Sequence, residues 1–244
     1  MDLKIKDVAE LLSVSETTIR RWLSDGKIPA YRLNHQYRFS RIEIENWMMS
    51  QKVSGDSGRS PFEEKQIYPP VSQKKKELST GKTGTQQFSL YRAIYKGAVL
   101  QNMKGGSKEE IIRKTIKEVS PMFGFDPEVV AELFLDREKL MSTALSHGVA
   151  VPHTRDFILQ DPTDRVVIVF PEKPVEFGAL DGVPVHSLFF LFTSNDKRHL
   201  HILAKIAHLS SHKEVVAFLQ TKPGKDDLLE FVKTWEGKVQ SPME

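Results

Sequence analysis

Asp136-Arg137-Glu138-Lys139-Leu140-Met141-Ser142-Thr143-Ala144-Leu145-Ser146-His147-Gly148-Val149-Ala150-Val151-Pro152-His153-Thr154 is the stretch on which the reading of this chain turns. Val149-Ala150-Val151 is a short apolar run, and Pro152 biases Val151 toward an extended shape. His153 is therefore expected at the end of a strand, where side chains meet solvent and a partner surface. A lone histidine is more often surface decoration. Here a second one, His199, opens a helical pattern just after the strand-like run Leu188–Phe192 and the loop Thr193-Ser194-Asn195-Asp196. An imidazole suits phosphoryl relay because it is partly neutral near pH 7, hence nucleophilic, and its phosphoramidate transfers onward readily. A partner histidine at a helix N-terminus could hold phosphoryl oxygens, and Arg137 could offset their charge.

Outward from this segment, helices alternate with strands. Ser107-Lys108-Glu109-Glu110 reads as a capping box opening a helix through Ile111, Ile112, Ile116 and Val119. Asp126-Pro127 caps a second helix through Val130, Leu133, Phe134 and Leu140. The runs 166–170 and 188–192 are too short for helices and read as strands buried on both faces. His199, Ile202, Leu203, Ile206 and Leu209 recur at helical spacing, with further amphipathic stretches at 213–219 and 226–235. The fold class is α/β.

Toward the N-terminus, residues 51–86 read as a flexible linker, with Ser54-Gly55-Asp56-Ser57-Gly58, Pro69-Pro70 and Lys74-Lys75-Lys76 and no sustained apolar period. Gly81-Lys82-Thr83 resembles the end of a phosphate-binding loop, but Lys76 stands where that motif needs its first glycine. Residues 1–50 form a separate small unit. Lys6–Leu12 and Glu16–Ser24 are two short helices joined by Ser13-Val14-Ser15, the helix-turn-helix pattern. Ile19, Trp22 and Leu23 face inward, which leaves Thr17, Thr18, Arg20 and Arg21 available to a groove or to phosphates. Residues 28–33 and 37–39 flank Asn34-His35-Gln36 as a hairpin or wing, and Ser40-Arg41-Ile42-Glu43 starts a last helix through Ile44, Trp47 and Met48.

The 244 residues suffice for two cores, and 39% hydrophobic with 27% charged residues is the balance of a soluble globular chain. No cysteine is present, which removes disulfides and thiol chemistry and suits a reducing compartment. Neither a secretory signal nor an apolar run near the ~20 residues of a membrane helix is seen, so a cytoplasmic location without membrane insertion is expected. Residues 1–50 carry 8 Lys and Arg against 7 Asp and Glu. Any DNA binding must then come from where the arginines point, not from bulk charge.

Two resemblances sharpen these expectations. Residues 3–49 closely resemble the excisionase and MerR-type winged helix-turn-helix family. The pattern is carried by Val8-Ala9-Glu10-Leu11-Leu12, Thr18-Ile19-Arg20-Arg21-Trp22, Gly26-Lys27-Ile28-Pro29-Ala30, Tyr37-Arg38-Phe39 and Ile44-Glu45-Asn46-Trp47. The resemblance implies that the second helix enters the major groove and the wing approaches the backbone or minor groove. Thr17, Thr18, Arg20, Arg21, Arg32, His35 and Arg38 are then the DNA-contact candidates. For Arg38 and Arg41 a surface ion pair with Glu43 or Glu45 competes with that role. Such modules bind paired half-sites, so a homodimer is a candidate assembly, although no coiled coil supplies one.

Residues 88–238 resemble the type-2 enzyme IIA (EIIA) domain of the bacterial phosphotransferase system, as in its fructose, mannitol and nitrogen-regulatory members, the last most of all. The carrying residues are Glu138, Leu145, Gly148–His153, the stretch 174–185 and His199-Leu200-His201-Ile202-Leu203. The resemblance implies a mixed sheet flanked by helices, with His153 as the phosphorylated residue, His199 its companion and Arg137 the family arginine. It also implies an HPr-type phosphocarrier protein as donor. Ser146 and Thr154 depart from the small residues the family favours, so bulk beside the histidine could hinder the donor.

The expected units are thus a winged helix-turn-helix domain at 1–50, the linker at 51–86 and the EIIA type-2 domain at 87–240. The leading function is a regulatory phosphoryl carrier that couples its state to DNA or to a regulated protein partner. It would be a carrier with a histidine intermediate, not a free-standing catalyst. Two other readings are a sugar-transport IIA subunit feeding a separate permease, and an interaction protein that is never phosphorylated. A metal site at His147, His153 and His199 lacks a His-x3-His helix pair, a glutamate companion or a cysteine, so no metal and no cofactor is expected. His201 and His208 are expected to face solvent.

Overall fold

The computed structural model describes residues 2–12, 14–33, 36–50, 89–159 and 161–238. The linker reading of 51–86 and the wing residue His35 lie outside them.

The helix-turn-helix is built from α1 (Ile5–Leu12) and α2 (Glu16–Ser24). Ser15 caps α2, its hydroxyl accepting from the Thr18 amide at 3.1 Å. A three-stranded sheet, β1 (Asp2–Leu3), β3 (Gln36–Ser40) and β2 (Tyr31–Leu33), forms the wing, with Tyr31 opposite Arg38 and Leu33 opposite Gln36. The last helix, α3 (Arg41–Ser50), packs Ile44, Trp47 and Met48 inward. Trp22 and Trp47 lie 5.7 Å apart by ring centroid, and the Trp47 indole donates to the Lys27 carbonyl at 2.6 Å. Both tryptophans are core residues.

The C-terminal part contains α4 (Ser89–Lys96), β4 (Val99–Met103), α5 (Lys108–Phe123), α6 (Pro127–Leu140) and β5 (Val149–Ala150). It continues with β6 (Arg165–Pro171), β7 (Ser187–Phe192), α7 (Asp196–Ser210), α8 (Lys213–Gln220) and α9 (Lys225–Lys238). The sheet order is β4-β6-β7-β5. Its outer pairs are parallel and the central β6–β7 pair is antiparallel, which makes the sheet mixed. The runs expected to be buried on both faces are so. Val166, Ile168 and Phe170 enter one core with Phe189 and Leu191, while Val167 and Val169 enter the other with Leu188, Phe190 and Phe192. Helices α5 and α6 cover the second face; α4, α7, α8 and α9 cover the first.

Two of the caps read in the C-terminal part are present, one with a variation. Ser107 accepts from Glu110 N at 3.2 Å, but the Glu110 carboxylate turns back to the Gly106 amide at 3.0 Å. Asp126 accepts from the amides of Glu128 and Val129.

The two parts meet. Helices α1 and α3 pack on α7, and the apolar core of the helix-turn-helix runs on into the α/β core. Arg41 pairs with Asp196, not with Glu43 or Glu45, and Lys197 lies 3.6 Å from Glu10. Arg38 donates to Gln36 and to the Tyr37 carbonyl within its own hairpin.

Candidate functional site: two histidines under a buried glutamate

The backbone that delivers His153 is a tight hairpin from Thr143 to Val151. Leu145 N donates to Val149 O at 2.8 Å, and Val151 N to Thr143 O at 2.9 Å. His147 (φ 64°) and Gly148 (φ 74°) are both left-handed at its tip. A Cβ on Gly148 would stand 2.5 Å from His186 Cδ2 and 3.0 Å from the Pro184 carbonyl oxygen, so only glycine fits. Glu138 clamps the hairpin to the end of α6. Its Oε2 accepts from the Thr143 amide at 2.9 Å and hydroxyl at 2.6 Å, and its Oε1 from Lys108 Nζ at 3.1 Å.

Beyond β5 the chain stays alongside β7, with Leu191 N donating to Pro152 O at 3.0 Å and His153 bridged to Leu191. The His153 ring is thereby oriented. Its Nδ1 lies 2.7 Å from the Val151 carbonyl, which can only accept, so Nδ1 carries a proton. In the neutral ring that leaves the lone pair on Nε2.

His199 stands in the first turn of α7, which Asn195 caps. The two imidazole centroids are 5.1 Å apart at 61°. Thr193 Oγ1 is 3.2 Å from His199 Nδ1. Burial above all, then the charge of His153, holds His199 well below the usual histidine pKa, so it is neutral. Arg137, buried in the last turn of α6, donates through Nη1 to the Met141 carbonyl at 2.9 Å.

One expectation is corrected here. His153 does not meet solvent: it and Glu45 of α3 have no exposed surface at all. Glu45 Oε1 accepts from His153 Nε2 at 3.2 Å, Arg137 Nε at 3.0 Å and Arg155 Nη2 at 3.2 Å. Its Oε2 lies 3.7 Å from His199 Nε2, and neither atom has a hydrogen bond. Burial alone would raise the Glu45 pKa, but the hydrogen bond and charge of His153, with Arg137 behind them, hold it far below the usual carboxylate range.

Glu45, His153 and His199 place ligand atoms within 4.8 Å of one another. Two guanidinium groups on the same carboxylate oxygen make this a place for an anion, however, not for a cation. His147 belongs to no such group among the described residues; its amide donates to Asp181 at 2.6 Å.

Sequence reasoning named His153, His199 and Arg137, which the fold brings together; it missed Arg155, Thr193 and Glu45. Arg155 was within reach, since alternation along an extended chain puts residues 153 and 155 on one face. Glu45 was not, beyond the hint that Ile44, Trp47, Met48 and Met49 give α3 more apolar surface than one small core needs.

The DNA-contact candidates lie elsewhere. Thr17, Arg20, Arg21 and Arg32 are exposed. Thr18 is half-buried with its hydroxyl 2.9 Å from that of Ser15. His201 and His208 do not face solvent freely. His201 Nε2 lies 3.0 Å from Ser89 Oγ, and His208 is half-buried beside His212 and Trp235.

A mixed sheet presenting a histidine pair backed by arginine is the frame of a phosphotransferase EIIA domain. The chain belongs to the phosphoenolpyruvate-dependent sugar phosphotransferase system EIIA 2 family, whose profile matches residues 93–235, and a helix-turn-helix domain profile matches residues 3–52. It is 33% identical over 146 residues to the nitrogen regulatory protein of Pseudomonas aeruginosa, a match covering 59% of this chain and 94% of that protein. The nitrogen regulatory protein of Escherichia coli strain K12 is likewise 33% identical over 135 residues, 54% of this chain and 81% of the relative. Among solved structures, nitrogen regulatory protein IIA-Ntr from Neisseria meningitidis superposes with a TM-score of 0.51 at 29% identity, covering 56% of this chain and 93% of that one. No described helix is long and apolar enough to cross a membrane.

Proposed function

We propose that this chain is a regulatory phosphoryl carrier that accepts phosphate on His153 Nε2 from a phosphorylated HPr-type protein. Residues 87–240 would be the carrier unit, and residues 1–50, joined by 51–86, a DNA-binding unit that reports the carrier's state. The observation that carries the reading is the orientation of His153: Nδ1 is engaged by the Val151 carbonyl, the ring lies 5.1 Å from that of His199 by centroid, and Nε2 points to the Glu45 oxygen on which Arg137 and Arg155 also converge.

In the transfer, the Nε2 lone pair attacks phosphorus, a P–N bond forms, and the donor's P–N bond breaks with its electron pair returning to the donor ring. Once Nε2 has released the proton it shares with Glu45, each imidazole keeps its own N–H through the transfer. The arginines balance the phosphoryl charge, and His199 Nε2 donates to a phosphoryl oxygen once Thr193 Oγ1–H donates to its Nδ1. Thr154, named as a bulk hazard, is buried and turned to Asp156, its Oγ1 3.3 Å from that carboxylate.

The test is mass mapping after incubation with phosphorylated HPr. A gain of one phosphate on the 153 peptide of the wild type, absent in His153→Ala, is expected; a folded wild type that gains none refutes the assignment. Selection of a DNA site by the full chain, lost in Arg20→Ala with Arg21→Ala, tests the second half.

A further inference from the structure

We infer that Glu45 is a built-in stand-in for the phosphoryl group, so that docking of α3 and phosphorylation of His153 exclude each other. The inference rests on the reading of His153 as phosphoryl acceptor and adds what regulates it.

The geometry argues for it in three ways. First, the positions are shared. Glu45 Oε1 sits 3.2 Å from Nε2. A P–N bond is far shorter, so phosphoryl oxygens on Nε2 would fall where the carboxylate oxygens now lie.

Second, the charge is mismatched in the direction of phosphate. Two arginines and His153 converge on one carboxylate, while Arg155 Nε and His199 Nε2 lack hydrogen bonds and Arg137 Nη2 has only an ion-pair contact, 3.0 Å from the same Glu45 Oε1, in the docked form. A group with three oxygens and up to about two negative charges uses these donors where two oxygens cannot.

Third, docking silences the nucleophile chemically as well as sterically. A carboxylate only accepts, so the contact holds a proton on Nε2 and removes the lone pair that attack requires. A donor protein also cannot reach a ring with no exposed surface.

The consequence is mutual. A donor must wait for α3 to lift. Once phosphate is on His153, the returning Glu45 meets a like charge in an occupied space, and the helix-turn-helix stays free. Arg41–Asp196 and Glu10–Lys197 are outlying clasps of the same closure.

The experiment uses the full chain, which has no native cysteine. Glu10→Cys and Lys197→Cys are combined and joined by a short bis-maleimide, and Glu45→Gln is made separately. Each form is incubated with phosphorylated HPr and its mass followed in time. The joined form should gain no phosphate, the unjoined double variant, which loses one exposed clasp, should gain it at least as fast as wild type, and Glu45→Gln should be phosphorylated at least about tenfold faster as the open population grows. Phosphorylated protein should also resist cross-linking. A joined form that accepts phosphate at the wild-type rate overturns the inference, and it does so without disturbing a buried residue should Glu45→Gln fold poorly. If no form, Glu45→Gln included, ever gains phosphate, the acceptor reading itself is what has failed.

Discussion

Glu45 and His153 lie 108 positions apart in the chain, meet at 3.2 Å, and neither side chain reaches solvent. A buried ion pair of this kind returns little net stability while intact, because both charges were taken from water. Its removal from one side is another matter. In Glu45→Gln the guanidinium of Arg137 and the ring of His153 lose their counter-charge, which costs on the order of 3–5 kcal/mol in a closed structure. The chain can avoid that cost by opening. Hydrogen exchange should therefore speed up in α1 and α3 while β6 and β7 keep their protection. Equal protection in variant and wild type would contradict the pairing.

Acid sensitivity follows from His208. Burial, then the charge of His212, lowers its pKa from 6.5 to about 4. Between those values the unfolded chain binds the proton and the folded chain does not, so the contribution is complete above pH 6.5 and is lost as pH falls toward 4. By the linkage relation this is worth about 3 kcal/mol at most. Denaturant midpoints measured from pH 7 to pH 4 should fall in wild type and fall less in His208→Gln. Glu45 acts in a lower window: its pKa is depressed, so its contribution is present above 4.5 and declines below it.

Gly148→Ala forces a Cβ into His186 and the Pro184 carbonyl at a positive φ. Strain of this type costs about 1–3 kcal/mol before any clash is counted. The thermal midpoint should drop, and the His153 ring resonances should shift because the hairpin tip sets where β5 begins.

Glu138→Ala removes two hydrogen bonds from the Thr143 turn and leaves Lys108 without its carboxylate partner. Loss of a buried charged acceptor costs roughly 1–3 kcal/mol per unsatisfied donor. Phosphorylation by HPr should slow with little change in the fold of the sheet, since the clamp aligns the hairpin and does not touch the acceptor ring. An unchanged rate would assign Glu138 a purely structural role.

Much of the architecture was legible because its signals are local. Ser107 and Asp126 announce helices by their own side chains, and the runs at 166–170 and 188–192 announce buried strands by composition. His153, His199 and Arg137 were singled out by resemblance to the EIIA family, and Arg155 lay within the alternation of the same extended stretch. The closure by Glu45 was not legible. A glutamate four residues after Arg41 reads as a surface ion pair, and only the docking of α3 on α7 takes it from water. His208 failed for a related reason: besides the nearby His212, its cover is Trp235, which α9 brings from a distant segment.

The face of the helix-turn-helix that rests on α7 is made by α1 and α3, whereas Arg20, Arg21 and Arg32 look outward from α2 and β2. The shut form is therefore not a blindfolded one. Those arginines stay exposed while His153 beneath α3 is covered. On the proposed reading, closure over His153 and exposure of these arginines go together, so the release of α3 would change the leverage on the helix-turn-helix and would not uncover it.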